Sequence, residues 1–242
     1  MIGPIINAAG IVAGGAAGLT SKKPLTLAIE SWLKVVLGVF TVFYGLRLSL
    51  LSFSGSWTNK LKQLVILLVA LMLGRLLGKL LGLQKISNRL GEAARQNFSE
   101  ASAGTARPNA GFKTCAGLFC AAPLGIIGGV QDGLSGFYAP LVIKAIMDWA
   151  GTMAFVKVFG WSPLAAALPV LAFEGTLSLA AGAYLREFLI ARDLLWSVDL
   201  ISGMLIFIVA LVILQIKRIE MADYLPSMVI APLAAFLWRS HA

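Results

Sequence analysis

At 242 residues, 59% of them hydrophobic and 13% charged, with a mean hydropathy of +0.87, the chain carries more apolar surface than a soluble domain of its size can bury. A soluble fold is thereby excluded, and the formal net charge of +9 reads as loop Lys and Arg that orient membrane spans rather than as a nucleic-acid surface. With no phosphate-binding Gly-Lys-Ser/Thr loop and His241 as the only histidine, ATP-driven pumping, His-based catalysis and His-based metal ligation are excluded too.

A spanning helix needs about 20 mostly apolar residues, because the hydrocarbon core is about 30 Å thick. That rule predicts eight segments, at 2–19, 27–51, 61–83, 112–134, 140–159, 163–185, 194–216 and 224–237. The last is short, so seven spans with a tilted or re-entrant C-terminal segment is the alternative. No Lys or Arg precedes the first segment, which reads as a span rather than a signal peptide. It contains Gly10-Ile11-Val12-Ala13-Gly14, running on to Gly18-Leu19-Thr20, with glycines spaced by four. The second segment carries Glu30 and Lys34, four apart and therefore on one helical face. An ionisable group at membrane depth costs about 2.5–3.5 kcal/mol on insertion scales, so each needs a partner or a role. In the third segment Gly74, Gly78 and Gly82 read as a packing stripe, with Arg75 and Lys79 reaching to the interface.

The linker 84–111 opens with a predicted short mixed-charge helix over 84–98 and becomes Ser/Ala/Gly-rich around Pro108. The glycine phrase then returns as Gly125-Ile126-Ile127-Gly128-Gly129, running on to Gly133-Leu134-Ser135. Cys115 and Cys120, about 140° apart on a helix, face different ways and read as packing residues. This fourth segment is punctuated by Pro123 and Gln131-Asp132, as the first is by Gly3-Pro4 and Asn7. Interrupted helices in corresponding positions of two halves point to a transporter's central site. Lys144 and Asp148 form a second i,i+4 pair in the fifth segment, the counterpart of the Glu30/Lys34 segment. Glu174 stands alone near the centre of the sixth, either protonated, paired across helices with Lys34 or Lys144, or serving an ion. Asp199 lies toward the outer end of the seventh, and Trp57, Trp149, Trp161, Trp196 and Trp238 fit aromatic belts.

Three spans precede the second phrase, and an odd number sets the two copies in opposite orientations. The expectation is an all-α polytopic bundle of 7–8 spans in one membrane domain, 1–242. Within it, 1–83 and 112–186 form an inverted-topology repeat, 84–111 is a cytoplasmic linker, and 187–242 adds two helices. An N-terminus outside puts twelve Lys/Arg on the inner side, Lys22, Lys23 and Arg107 among them, against six on the outer, which favours that orientation.

The residues Gly3-Pro4…Asn7…Gly14-Gly15…Gly18-Leu19, Phe119-Cys120…Gly125…Gly129-x-Gln131-Asp132-Gly133, Leu141-x2-Lys144-x3-Asp148 and Leu225-Pro226 resemble the YqgA-like bacterial membrane proteins, catalogued as domain of unknown function 554. The resemblance covers essentially the whole chain. It implies a multi-spanning bacterial inner-membrane protein, loosely associated with biofilm behaviour and often guessed to be a transporter, and it brings no mechanism. It also implies Gln-Gly where this chain has Phe173-Glu174-Gly175, which shifts weight from Glu174 to Asn7, Gln131, Asp132, Lys144 and Asp148.

The functional expectation is a secondary transporter or channel-like protein for a small ion or polar solute, not an enzyme. Its site is expected near the midplane between the Gly10 and Gly125 helices, with Asn7, Gln131 and Asp132 as ligands and Glu174 as a further ion site. Lys144/Asp148 and Glu30/Lys34 are expected to gate or couple, and Gly10, Gly14, Gly18, Gly125, Gly129 and Gly133 to pack helices. The alternative is a non-transporting scaffold or regulator whose glycine stripes are interfaces and whose 84–111 linker docks a partner. Neither a cofactor nor a metal nor nucleic acid is expected; the bilayer is, and a homo-oligomer fits either reading.

Overall fold

A computed structural model describes residues 1–21, 25–105 and 109–240. The topology-setting Lys22, Lys23 and Arg107, and His241, lie outside the described residues. Among the described residues there are eleven α-helices and no strand. They are α1 (Ile2–Thr20), α2 (Leu27–Ser52), α3 (Trp57–Leu81), α4 (Leu83–Ser102), α5 (Ala110–Cys120), α6 (Pro123–Ser135), α7 (Ala139–Phe159), α8 (Ala167–Ala180), α9 (Arg186–Ala191), α10 (Leu195–Ile213) and α11 (Ser227–Ser240). Six helical stretches are long and apolar enough to cross a membrane, or seven if the bent pair α5–α6 counts as one span. They correspond to seven of the eight expected segments. The eighth, α7, is long enough at 21 residues but carries Lys144, Asp148 and Lys157 and is not among them.

Proline chemistry explains why one of the two punctuated helices breaks and the other does not. Pro4 falls in the first turn of α1, where a missing N–H costs nothing, and α1 runs unbroken from Ile2 to Thr20. The expected interruption at Gly3-Pro4 and Asn7 is therefore absent. Pro123 follows a helix already under way and drives Ala122 into extended backbone, φ −64° and ψ 123°. α5 and α6 consequently meet at 58°, close to the middle of the combined span.

The first glycine row is the seam between α1 and α7. A Cβ built at Gly10 would lie 2.8 Å from the Ala145 carbonyl oxygen, at Gly14 2.2 Å from that of Trp149, and at Gly18 2.7 Å from that of Met153. Both helices advance by four residues per contact, so backbone meets backbone along the whole length. The second row turns chiefly toward α8: a Cβ at Gly129 would meet Leu177, and one at Gly133 would lie 2.1 Å from the Ser178 carbonyl oxygen. In the third run Gly74 and Gly78 pack against Ser227 and Asp223, whereas Gly82 caps α3 with φ +67°. The expected packing role thus holds for two of its three glycines. Arg75 lies over the Tyr224 ring and 3.8 Å from Glu220, with its side chain half exposed.

α2 packs mainly on α10, not on a member of the proposed second repeat. Gly45 and Gly203 allow that contact, and Ser49 Oγ donates to the Leu200 carbonyl at 3.2 Å. The largest apolar cluster centres on α10, with Leu200, Ile201, Leu205 and Ile206 at most 1% exposed. The outward faces of α2 and α3 are rows of Val, Leu, Phe and Met, which cost nothing in a hydrocarbon solvent. α4, four residues longer at its C-terminal end than the helix expected over 84–98, leaves α3 at the left-handed Gly82 and packs on α5.

Candidate functional site

The polar side chains of four helices do not form the one midplane site expected from the sequence; they form two layers. The deeper layer joins Asn7 of α1, Lys144 and Asp148 of α7, and Glu174 of α8. Glu174 lies close to the middle of the 30-residue stretch Ser162–Ala191. The Lys144 ammonium pairs with Asp148 Oδ2 one turn along its own helix and with Glu174 Oε1 at 3.2 Å across the interface. Asn7 Nδ2 donates to both Glu174 oxygens, at 2.9 and 3.0 Å. The side chains of Lys144, Asp148 and Glu174 are 2%, 8% and 0% exposed, so the cluster is closed to solvent and lipid alike.

Each member is held by local structure. Lys144 and Asp148 share a face because four residues is close to one helical turn. The Phe119 ring, 5.7 Å from Lys144 Nζ, covers the ammonium from α5. Gly125 forms the floor on α6: a Cβ there would lie 2.9 Å from both Glu174 Oε1 and Lys144 Cε. The break before Pro123 sets the N-terminal end of α6, with its partial positive charge, against the Glu174 carboxylate. One ammonium faces two carboxylates, for a formal charge of −1, and Asn7 Oδ1 is buried without a hydrogen-bond partner.

The second layer lies one helical turn away, at residue 3 of α1 and residue 178 of α8. Asp132 Oδ1 accepts from the Gly3 backbone N–H at 3.1 Å, and Oδ2 accepts from Ser178 Oγ at 2.5 Å. The Met1 ammonium is also 2.5 Å from Oδ2. Asp132 therefore caps the first turn of α1 from another helix instead of joining Lys144. Losing a helix cap costs about 0.5–2 kcal/mol. Asp132→Ala should therefore lower the melting temperature and speed amide exchange in the first turn of α1, while Asp132→Asn, which keeps an acceptor, should do less. Unchanged exchange at Gly3 in the alanine variant would remove this role.

Two further expectations need correction. No ion pair joins Glu30 to Lys34 among the described residues; Lys34 is exposed on the outer face of α2 and Glu30 is half-buried. Four-residue spacing puts two charges on one face but does not decide which way that face turns. Gln131 is fully buried yet lies outside the Lys144 cluster, with its side chain toward Asp199, which also accepts from Ser135 Oγ at 3.0 Å. Ser178 and Phe119 are the contacts that sequence reasoning missed. Ser178 had a signal in its spacing, four residues beyond Glu174 on the same helical face, and Phe119 had one only in its place in the family motif. Cys115 and Cys120 are both free, the first buried and the second half-buried.

Residues 2–236 match the family described as "Protein of unknown function (DUF554)". The chain belongs to this family. Among its relatives, the "Uncharacterized membrane protein YdfK" of Bacillus subtilis (strain 168) is 29% identical over 238 residues, covering 98% of this chain and 96% of that one. The "Uncharacterized protein YqgA" of Escherichia coli (strain K12) is 26% identical over 238 residues, covering 97% of each. This DUF554 chain is thus similar to both along its whole length. No solved structure matches it significantly.

Proposed function

We propose that this protein is a secondary transporter or channel-like protein for a small ion or polar solute, working in a bacterial inner membrane with its N-terminus outside. The observation that carries this reading is the closed Asn7–Lys144–Asp148–Glu174 cluster close to the middle of a membrane stretch. A buried ion pair is weak as a stabilising device, since a hydrophobic replacement of similar volume often does as well. Charges retained at membrane depth, facing the bundle interior, are instead characteristic of ion pathways. The broken α5–α6 span supports the reading, because its half-helix end opens onto this cluster, as discontinuous helices do at transporter sites.

The inverted repeat of 1–83 and 112–186 belongs to the same proposal. α1 and α6 carry equivalent glycine rows and both border the cluster. The halves have diverged, since α2 packs on α10 and its own charges stay outside. The test is ion flux in proteoliposomes, with H+, Na+, K+ and Cl− as probes. At least one should pass faster than through protein-free vesicles, Asp148→Asn should slow it at least tenfold, and Lys62→Ala at a helix end should not. Flux no greater than that of empty liposomes for every probe would sink the reading.

A further inference from the structure

We propose that the cluster binds one small alkali cation of sodium or lithium size beside the Lys144 ammonium. This rests on the transport reading of the same site and names its ion class. With Lys144, Asp148 and Glu174 ionised, the cluster is short of one positive charge in a medium where net charge is costly. An anion would deepen that deficit to −2 and a divalent ion would overshoot to +1; one monovalent cation makes the site neutral. Among the described residues no three His, Cys, Asp or Glu side chains converge to hold a metal, which argues against a tightly chelated divalent ion.

The second, independent observation is Asn7 Oδ1. Its amide nitrogen donates to Glu174, while the oxygen, in a side chain 0% exposed, lacks any donor. A buried acceptor left unmet costs about 1–3 kcal/mol, and a hard cation is the partner an amide oxygen accepts as readily as an N–H. The donor set is then Asn7 Oδ1 with the carboxylates of Asp148 and Glu174, all hard oxygens. Among the described residues no other charged group enters at this level: α6 contributes Gly125 and α5 contributes Phe119, Cys115 and Cys120. Lys144 stays on both carboxylates beside the ion, and the repulsion between the two like charges weakens the ion's hold.

The experiment is sodium binding to the purified full-length chain in detergent at fixed pH, by titration calorimetry and radioactive-sodium binding, with N-methylglucamine as the replacement cation. One saturable sodium per chain, displaced by lithium, is expected. Lys144→Gln should bind sodium at least tenfold more tightly, and its melting temperature should rise with sodium more than that of the wild type. Glu174→Gln and Asn7→Ala should each weaken binding at least tenfold, which keeps the test decisive if Lys144→Gln folds poorly. No saturable binding, affinities unmoved by these substitutions, or proton uptake without sodium dependence would overturn the proposal. Sodium binding without flux of any probe would uphold it and sink the transport reading. Sodium-independent flux lost in Asp148→Asn would do the reverse.

Discussion

Lys144→Met is expected to be the most damaging single substitution in this protein. It removes the only ammonium from the cluster and leaves Asp148 and Glu174 at 8% and 0% side-chain exposure without it. Breaking a buried pair by deleting one partner costs about 3–5 kcal/mol, because the remaining charge is neither solvated nor paired. Two carboxylates left together put the effect at the upper end of that range. The measurement is thermal unfolding in detergent, alongside recovery of monodisperse protein. The triple variant Lys144→Met, Asp148→Asn, Glu174→Gln restores neutrality and should regain most of the lost stability while remaining unable to bind sodium. A Lys144→Met protein as stable as the wild type would show that the carboxylates do not depend on that ammonium.

The second large effect is expected from Gly14→Val in the α1–α7 seam. Even a Cβ at this position would lie 2.2 Å from the Trp149 carbonyl oxygen and 2.8 Å from its Cα. Overpacking against side chains costs about 1–3 kcal/mol, since rotamers relax. Here the obstacle is backbone, so relief requires the two helices to separate. Asn7 lies two turns from Gly14 on α1, so separation would also draw it from Glu174 on α8. Both the melting temperature and the Asn7-dependent sodium affinity should therefore fall. Gly91 on α4 is the matching control: a Cβ there meets nothing within 4 Å, and Gly91→Ala should be neutral or gain about 0.4–1 kcal/mol. If Gly14→Val melts with the wild type, the seam is not the close contact described.

The glycine rows were legible in the sequence as packing stripes, because i,i+4 spacing lines one helical face whatever that face meets. Their partners were not. The α1 row meets the backbone of α7 and the α6 row meets α8, although the two phrases read almost alike. The break at Pro123 was legible for the same local reason that Pro4 proved harmless: proline acts through its position within the turn. Lys144 and Glu174 were each visible as charges that lipid would not tolerate, and their pairing was one of the outcomes expected for Glu174. That Asn7 completes the cluster, 167 residues from Glu174 along the chain, was not.

Composition and periodicity by themselves determined the medium, the helical class, most of the spans and the residues that could not be left alone in hydrocarbon. These follow from hydration cost and from the 3.6-residue turn, which act within one segment. The tertiary structure decided which of those residues meet. It closed Lys144 onto Glu174, turned Asp132 away to cap α1, left Gln131 near Asp199 and set Lys34 on the outer face of α2. Spacing specifies a shared face, but only the packing of one helix on another decides whether that face looks inward and what stands opposite.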